Sequence, residues 1–206
     1  MCYCIIYMRV QTLILFGRSG SGKGTQADIL LKFVTAHDPL RRVLYIEIGQ
    51  KFREFAARDN YTARLTRERM DQGGLLPAFM PIWAWTNSFV ESFTGEEHLI
   101  LDGLSRQPHE APILDSALKF YNREHSTIIV INVSREWATE RLRERGRNDD
   151  NVDDIKRRVE WFDTNVVPAL EYFRNDDRYT TVDINGEQSI EQVHQDIISA
   201  LDWQDD

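Results

Sequence analysis

Short runs of apolar residues alternate along the chain with longer stretches in which apolar and polar positions follow a helical period. The apolar runs are four to seven residues long and rich in branched side chains, which is typical of buried parallel strands. Their predicted bounds are 10–16, 42–47, 98–101, 127–133 and 179–183. The predicted helices are 22–36, 49–57, 61–72, 77–93, 110–123, 135–145, 152–173 and 188–201. This alternation predicts an α/β fold in which helices cover both faces of a parallel sheet.

The carboxyl ends of the predicted strands indicate where a ligand would bind, because open parallel sheets bind their ligands along that edge. The segments that follow the strands there begin at Gly17, Ile48, Asp102 and Ser134. The connection between the second and third predicted strands is about fifty residues long, far more than one crossover helix requires. It contains three predicted helices, and we therefore expect an inserted helical subdomain over this edge of the sheet.

Composition narrows the class of protein. The chain has 206 residues, 42% of them hydrophobic, which is enough apolar material for one globular core. A formal charge of −8 disfavours a general nucleic-acid-binding protein. Arg9 and Gln11 interrupt the apolar amino-terminal run, so we predict no membrane span. The two cysteines, Cys2 and Cys4, are too few for a disulfide framework or a zinc cluster, and a cytoplasmic location is expected.

A glycine-rich run, GRSGSGKGT at residues 17–25, follows the first predicted strand and opens the first predicted helix. This context predicts a phosphate-binding loop, in which backbone N–H groups and the helix N-terminus face a phosphate. Lys23 is expected to reach the outer phosphates of a nucleoside triphosphate. The residues of this loop that would contact ATP are Gly17, Gly20, Ser21, Gly22, Lys23, Gly24 and Thr25.

Gly24 occupies the position where the common phosphate-loop motif has a serine or threonine. That hydroxyl normally binds Mg²⁺, so direct ligation of the metal by the loop is lost here. Thr25 is expected to hydrogen-bond an inner phosphate instead. Mg²⁺ would then be held by the nucleotide and by water molecules that a carboxylate elsewhere orients. Asp102, at the end of an apolar strand, is the best candidate for that carboxylate.

The run GRSGSGKGTQ resembles the phosphate loop of adenylate kinases and related nucleoside-monophosphate kinases. Further segments match that family in the same order, and they are IGQKFR at 48–53, MDQGGLLP at 70–77, LDGLSR at 101–106, GRNDDN at 146–151 and IKRRV at 155–159. The resemblance covers residues 10 to about 200 and implies a five-stranded parallel core with two mobile parts. The core would comprise residues 8–48, 94–140 and 152–206, the monophosphate-binding helical insert residues 49–93, and a short lid residues 141–151.

The resemblance implies an activity as well as a fold. The expected reaction is the reversible transfer of the γ-phosphoryl group of Mg-ATP to AMP by a monomeric, cytoplasmic enzyme that binds neither nucleic acid nor membrane. The same chemistry on GMP, CMP, UMP or a deoxynucleotide is one alternative, and a catalytically weak nucleotide-binding module is another. A GTPase switch is disfavoured, because the sequence contains no Asn-Lys pair of the kind that binds guanine in those proteins.

Of the 25 basic residues, 20 are arginines. The planar guanidinium group can donate two parallel hydrogen bonds to a phosphate, and it is always protonated in proteins. The resemblance implies that Arg53 and Arg106 hold the acceptor phosphate, that Arg147 and Arg158 contact the transferring phosphoryl group, and that Arg141 and Arg145 contact the donor base and phosphates. Arg141 and Arg145 are four residues apart, so they share a helix face. The alternative for this segment is a solvated, charged helix end.

The resemblance also assigns the residues around the acceptor nucleoside, namely Ile48, Gly49, Leu76, Gly103 and Glu110, and places Gln188 near the donor base. Three positions depart from the pattern of AMP-specific members, which have threonine at Ile48, aspartate at Gln50 and glutamine at Glu110. A glutamine amide can pair with N1 and N6 of adenine, whereas an ionised carboxylate only accepts hydrogen bonds. Guanine offers two adjacent donors, so the hypothesis from Glu110 is an acceptor preference shifted from AMP toward GMP.

Overall fold

Five strands form one parallel sheet in the computed structural model, which describes residues 9–72, 74–146 and 151–201. The strand order is β2-β3-β1-β4-β5, and every neighbouring pair is parallel. The strands are β1 (Thr12–Gly17), β2 (Val43–Glu47), β3 (His98–Asp102), β4 (Thr127–Asn132) and β5 (Thr180–Asn185). The predicted fold class, a five-stranded parallel sheet flanked by helices, is confirmed.

The helices occupy the predicted connections. They are α1 (Lys23–His37), α2 (Ile48–Ala56), α3 (Tyr61–Asp71), α4 (Phe79–Ser92), α5 (Ala111–Phe120), α6 (Arg135–Arg145), α7 (Val152–Trp161), α8 (Val167–Arg174) and α9 (Ile190–Ala200). Helices α2, α3 and α4 all lie in the long connection between β2 and β3. Cys2 and Cys4 lie outside the described residues. None of the helices in the described ranges is both long and apolar enough to cross a membrane.

The helix predicted over residues 152–173 is present from Val152 to Arg174, but a π-helical segment, Phe162–Val166, interrupts its α-helical turns and separates α7 from α8. Pro168 lies at the start of α8 and explains the interruption. Proline donates no backbone hydrogen bond, and its ring would collide with the carbonyl group four residues earlier in a regular helix. The wider π turn avoids that collision and changes the direction in which Asp163 projects.

Both faces of the sheet are buried, and alternate residues of the central strand β1 supply the two cores. Leu13 and Leu15 pack with apolar residues of α1 and α9 on one face. Ile14 and Phe16 pack on the other face with the larger core formed by α4, α5 and α8. All six residues of β1 are buried, as expected for a strand covered on both sides. This packing fixes the carboxyl end of β1, where the glycine-rich loop begins.

A buried carboxylate ties α5 to the carboxyl-terminal part of the chain. Asp115 accepts hydrogen bonds from Lys119 at 2.8 Å, from Tyr172 at 3.0 Å and from Tyr179 at 2.6 Å. Arg178 lies 3.0 Å from the same carboxylate. Although burial by itself raises the pKa of Asp115, these four partners hold it well below its usual range. The negative charge is therefore retained inside the protein at neutral pH.

Candidate active site

A cavity of about 1110 Å³ opens along the carboxyl edge of the sheet. Its walls include the glycine-rich loop after β1, Glu47 at the end of β2 and Asp102 at the end of β3. Helices α2, α6 and α7 contribute further lining residues. The volume exceeds the roughly 300–1000 Å³ of a typical single-ligand pocket. The cavity therefore has room for two small ligands side by side.

The glycine-rich loop adopts the backbone conformation that a phosphate requires. Gly20 and Gly22 have φ angles of +88° and +86°, in the left-handed region that side chains disfavour. A Cβ atom on Gly20 would also lie 2.6 Å from the carbonyl oxygen of Ala138, so α6 packs directly on this glycine. Helix α1 begins immediately afterwards at Lys23. The free N–H groups of its first turn and its dipole therefore face the cavity.

Lys23 lies in a strongly cationic environment. Burial, against the opposing effect of Asp102 and together with nearby Arg106 and Arg145, lowers its pKa to about 8. A buried ammonium group beside two guanidinium groups is disfavoured in the empty protein, and a bound anion would stabilise its charged form. The electrostatics of the cavity are therefore those of a site for a highly charged anion such as a polyphosphate.

Asp102 is the buried acid of this site and is only 6% exposed. Burial raises its pKa, Lys23 and Arg106 lower it, and the carboxylates of Glu47 and Asp28 raise it again. Its Oδ1 atom has no hydrogen-bond partner among the described residues. Within the same part of the chain, no three His, Cys, Asp or Glu side chains are close enough together to hold a metal ion. This arrangement fits a metal bound through water molecules rather than enclosed by protein ligands.

Two predicted arginines line one side of the cavity, next to β2 and β3. Arg53 donates to Glu47 at 3.0 Å and to Gln50 at 2.9 Å, within an exposed network on α2. The guanidinium of Arg106 packs over Gly103, where any Cβ atom would collide with it. Gly103 has a φ of +78°, so the torsion favours glycine, and a side chain there would also displace the Arg106 guanidinium. Arg106 is thereby held against the strand end that carries Asp102.

The other side of the cavity carries the arginines of α6 and α7. The guanidinium of Arg141 lies 4.8 Å from the ring centroid of Trp137 and 3.4 Å from Glu144. Arg145 and Arg158 also line the cavity. Gly146 ends α6 in the left-handed conformation. Arg147 and the next three residues of the segment predicted to be a lid, 148–150, lie outside the described residues.

Glu110 is a buried carboxyl group in the wall near Arg106. It is 1% exposed, and its Oε2 atom accepts a hydrogen bond of 2.9 Å from the backbone N–H of Arg106. Burial raises its pKa, and the Arg106 N–H opposes that shift. Ile48, at the start of α2 and 3% exposed, is an apolar part of the same cavity.

The structure brings nearly all of the predicted site residues into one cavity. Those that line it are Gly20, Ser21, Gly22, Lys23, Gly24, Thr25, Ile48, Gly49, Arg53, Leu76, Asp102, Gly103, Arg106, Glu110, Arg141, Arg145, Arg158 and Gln188. Gly17 lines a smaller cavity that shares Lys23, Arg106 and Arg158 with the first.

Sequence analysis missed an ion pair that supports the glycine-rich loop. Arg18, 8% exposed, donates to both carboxylate oxygens of Asp163, at 2.9 and 2.7 Å, and to the carbonyl oxygen of Val159 at 2.5 Å. Arg135 donates to the same carboxylate at 3.0 Å. Arg18 occupies a variable position of the loop motif, and Asp163 lies 145 residues away. The only sequence signal for this contact is Pro168, which causes the π turn that carries Asp163.

Other wall residues were also missed. Tyr45, Trp137 and Trp161 line the cavity, and burial together with nearby Asp102 raises the pKa of Tyr45. Arg157, for which a solvated surface position was expected, also lines the cavity and pairs with Asp154. Aromatic rings beside a phosphate site suit the faces of nucleotide bases. These positions fit the pattern of ordinary amphipathic helices and strands, so the sequence alone does not show that they line a site.

Comparison with known proteins agrees with this geometry. The sequence model of the family described as Adenylate kinase matches residues 15–178. The chain is 29% identical over 190 residues to an adenylate kinase of Corynebacterium urealyticum, covering 92% of this chain and 98% of the relative. It is 30% identical over 195 residues to an adenylate kinase of Bacteroides fragilis, covering 92% and 97%. The chain therefore belongs to the adenylate kinase family, whose members are phosphotransferases that act on nucleotides.

Proposed function

We propose that this chain reversibly transfers the γ-phosphoryl group of Mg-ATP to a nucleoside monophosphate, as adenylate kinases do with AMP. One observation carries the proposal. A single cavity large enough for two ligands gathers Lys23, Arg106 and Arg158 around the buried acid Asp102. Such a site supplies the positioning and the positive charge that phosphoryl transfer needs, and little else is required of the protein.

The donor side of the cavity is formed by the glycine-rich loop, residues 17–25, and by α6. In our proposal, backbone N–H groups of the loop hold the inner phosphates of ATP, and Lys23 contacts the outer ones. Arg145 adds positive charge there. Arg141 lies against the donor base, because its guanidinium already stacks on Trp137, a flat surface suited to a ring system. Gln188 lines the same wall near α9.

The acceptor side is formed by α2, the end of β3 and the loop that follows it. We assign the monophosphate to Arg53 and Arg106, whose planar guanidinium groups match phosphate oxygens. Glu47 would compete with the phosphate for Arg53. The nucleoside would then lie against Ile48, Gly49, Leu76 and Gly103, with Glu110 at the edge of the base.

Transfer itself depends on neutralising the charge that spreads over the moving phosphoryl group. Lys23, Arg106 and Arg158 can approach it from the surrounding walls, and we assign Arg147 to the same task. When bound, Mg²⁺ would neutralise charge on the donor phosphates. Asp102 would orient the water molecules around it, since its free Oδ1 atom can accept a hydrogen bond from such a molecule. A phosphate beside Lys23 would raise the pKa of that amine and keep it charged.

Two segments would complete the site when both substrates are bound. We propose that residues 49–93 form the acceptor-binding insert and residues 141–151 a short lid, with the remainder as the core. Closure would exclude water, which protects the phosphoryl group from hydrolysis and strengthens the charge interactions.

Since one chain supplies every assigned group, we propose a monomer, which light scattering on a size-exclusion column would test. A cytoplasmic location suits an enzyme that uses ATP.

The experiment that tests the proposed function is an acceptor screen. Purified protein receives Mg-ATP with AMP, dAMP, GMP, CMP or UMP in separate reactions, and the ADP produced is measured. We expect ADP formation that depends on the monophosphate. No activity with any acceptor, together with tight ATP binding, would support a nucleotide-binding module instead, the alternative favoured by Gln50 in place of the family's aspartate.

A further inference from the structure

Arg18 joins the glycine-rich loop to the helical segment that carries Arg158. Its guanidinium donates to both carboxylate oxygens of Asp163 and to the carbonyl oxygen of Val159, and it lies 4.6 Å from the ring centroid of Phe162. Among the residues that the structure describes, no other group of the loop forms a hydrogen bond or an ion pair with α7 or the π-helical segment. Polar contact between the loop and α7 therefore depends on this one side chain.

The contact of Arg18 with Asp163 restricts orientation as well as distance. Two parallel hydrogen bonds between a guanidinium and a carboxylate hold the two planar groups in one geometry. Arg18 is almost fully buried, so solvent competes little for these bonds. Arg135, at the start of α6, donates to the same carboxylate. Asp163 therefore fixes the glycine-rich loop, α6 and the end of α7 relative to one another.

Two of the cations assigned to phosphoryl transfer lie on the two elements that Arg18 joins. Lys23 follows the glycine-rich loop, and Arg158 belongs to α7, where it directly precedes Val159. Both side chains line the smaller cavity, of about 50 Å³, and Phe162 lines it as well. The separation of the two cations therefore depends on the distance between the loop and α7, which the contacts of Arg18 set.

From this geometry we infer that Arg18 is a positioning residue for phosphoryl transfer, which acts by holding Arg158 in a fixed position relative to Lys23. The inference rests on the proposed function, in which these two cations approach the transferring group from different walls. Arg18 itself lines neither cavity, so its effect on the reaction passes through the groups that it holds. A displacement of a catalytic group by about 1 Å can slow a reaction by about a hundredfold, so such a contact affects the rate.

The test is a double-mutant cycle on the rate of transfer itself. The natural protein, Arg18→Met, Arg158→Met and the double variant are each mixed, in excess, with γ-labelled Mg-ATP and the best acceptor of the screen. Single-turnover rates at saturating protein and acceptor exclude the effects of affinity and of product release.

We expect Arg18→Met to slow transfer about tenfold in the natural protein and about twofold or less in the Arg158→Met background. The smaller effect follows because Arg18 has no Arg158 guanidinium left to position. Equal factors in the two backgrounds would overturn the inference, and so would a natural rate in either single variant. A merely structural role would lower the unfolding temperature of Arg18→Met and give the same rate factor in both backgrounds.

A control and a second variant accompany the cycle. Arg174 also pairs with two carboxylates, Glu171 and Asp183, but it lines neither cavity. Arg174→Met should therefore leave the transfer rate unchanged in both backgrounds. Asp163→Asn replaces Arg18→Met in a second cycle, so the result does not depend on the folding of one variant, and it should show the same non-additivity.

Failure of this inference is distinguishable from failure of the proposed function. A protein that transfers the phosphoryl group, but in which the effects of Arg18→Met and Arg158→Met are independent, keeps the function and loses the inference. A protein that transfers no phosphoryl group to any monophosphate loses both.

Discussion

The donor and acceptor sides of the cavity differ in how their charged groups are held before a nucleotide binds. On the donor side, the positive φ angles of Gly20 and Gly22 determine the conformation of the glycine-rich loop. A bidentate ion pair between Arg18 and Asp163 holds that loop in place. On the acceptor side, Arg53 is 42% exposed and is paired with Glu47, which would compete with a phosphate for its guanidinium. The donor site is therefore preorganised, and the acceptor site is completed by the substrate that it binds.

The largest expected effect comes from removing the central charge on the donor side. Lys23→Met should lower kcat by about a thousandfold, since one preorganised charge at the transferring group contributes that order of magnitude. The thermal unfolding temperature should change little, because the empty site already contains an excess of positive charge. Lys32→Met, an exposed lysine on the same helix, is the control and should keep full activity. Undiminished turnover in the Lys23 variant would remove that residue from the mechanism.

The preorganisation of the donor side can be weakened without touching a nucleotide contact. Asp163→Asn leaves buried Arg18 without its counter-charge. We expect KM for ATP to rise about tenfold, since small displacements of a positioning group have effects of that size, and the unfolding temperature to fall. KM for the acceptor should stay the same. Asp177→Asn, an exposed aspartate, should alter neither quantity, and equal changes in both KM values would contradict a donor-side role.

On the acceptor side, the corresponding variant should strengthen binding. Glu47→Gln removes the carboxylate that competes with the monophosphate for Arg53. Because exposed ion pairs contribute only about 0.2–1 kcal/mol, KM for the acceptor should fall by roughly twofold to fivefold, with KM for ATP unchanged. Glu68→Gln breaks a similar exposed pair with Arg64 away from the site and serves as the control. A raised acceptor KM in the Glu47 variant would show that the carboxylate helps binding.

The smallest expected effect is on folding stability and involves His98. This residue lies at the amino-terminal edge of the sheet, away from both sides of the cavity. Buried His98 accepts the N–H of Gln11 and contacts Asp38, and burial lowers its pKa despite that carboxylate. The unfolded chain then binds a proton more readily than the folded one. The free energy of unfolding should therefore decrease as the pH falls from about 6.5 through the lowered pKa of His98. Denaturant titrations at several pH values, with His98→Gln for comparison, would measure it, and a stability that rises on acidification would contradict it.

The fold was predictable because its signals are local. Buried strands such as β1 appear as short branched runs, and α1 follows a loop whose glycines are visible in the sequence. The helix over residues 152–173 was predicted, but its π-helical segment was not, because the amphipathic period continues through Pro168. The spacing of apolar residues indicates which face of a helix is buried. It does not indicate whether the turns of that helix are α-helical or π-helical.

The site was predictable only where a residue belongs to a motif. Lys23, Asp102 and Arg106 were identified from short segments, and the structure places all three around one cavity. The Arg18–Asp163 pair depends on residues far apart in the chain, and its geometry follows from tertiary packing alone. The carboxyl chemistry of Glu110 was visible in the sequence, whereas its hydrogen bond from the backbone N–H of Arg106 required the structure.

The most direct test of the account is the destination of the γ-phosphoryl group. ATP labelled with ³²P at the γ position is mixed with Mg²⁺, the protein and unlabelled GMP or AMP, and the products are separated by chromatography. We expect the label to appear in the nucleoside diphosphate of the acceptor and the reverse reaction to return it to ATP. Label released as inorganic phosphate, or retained entirely in ATP, would contradict it.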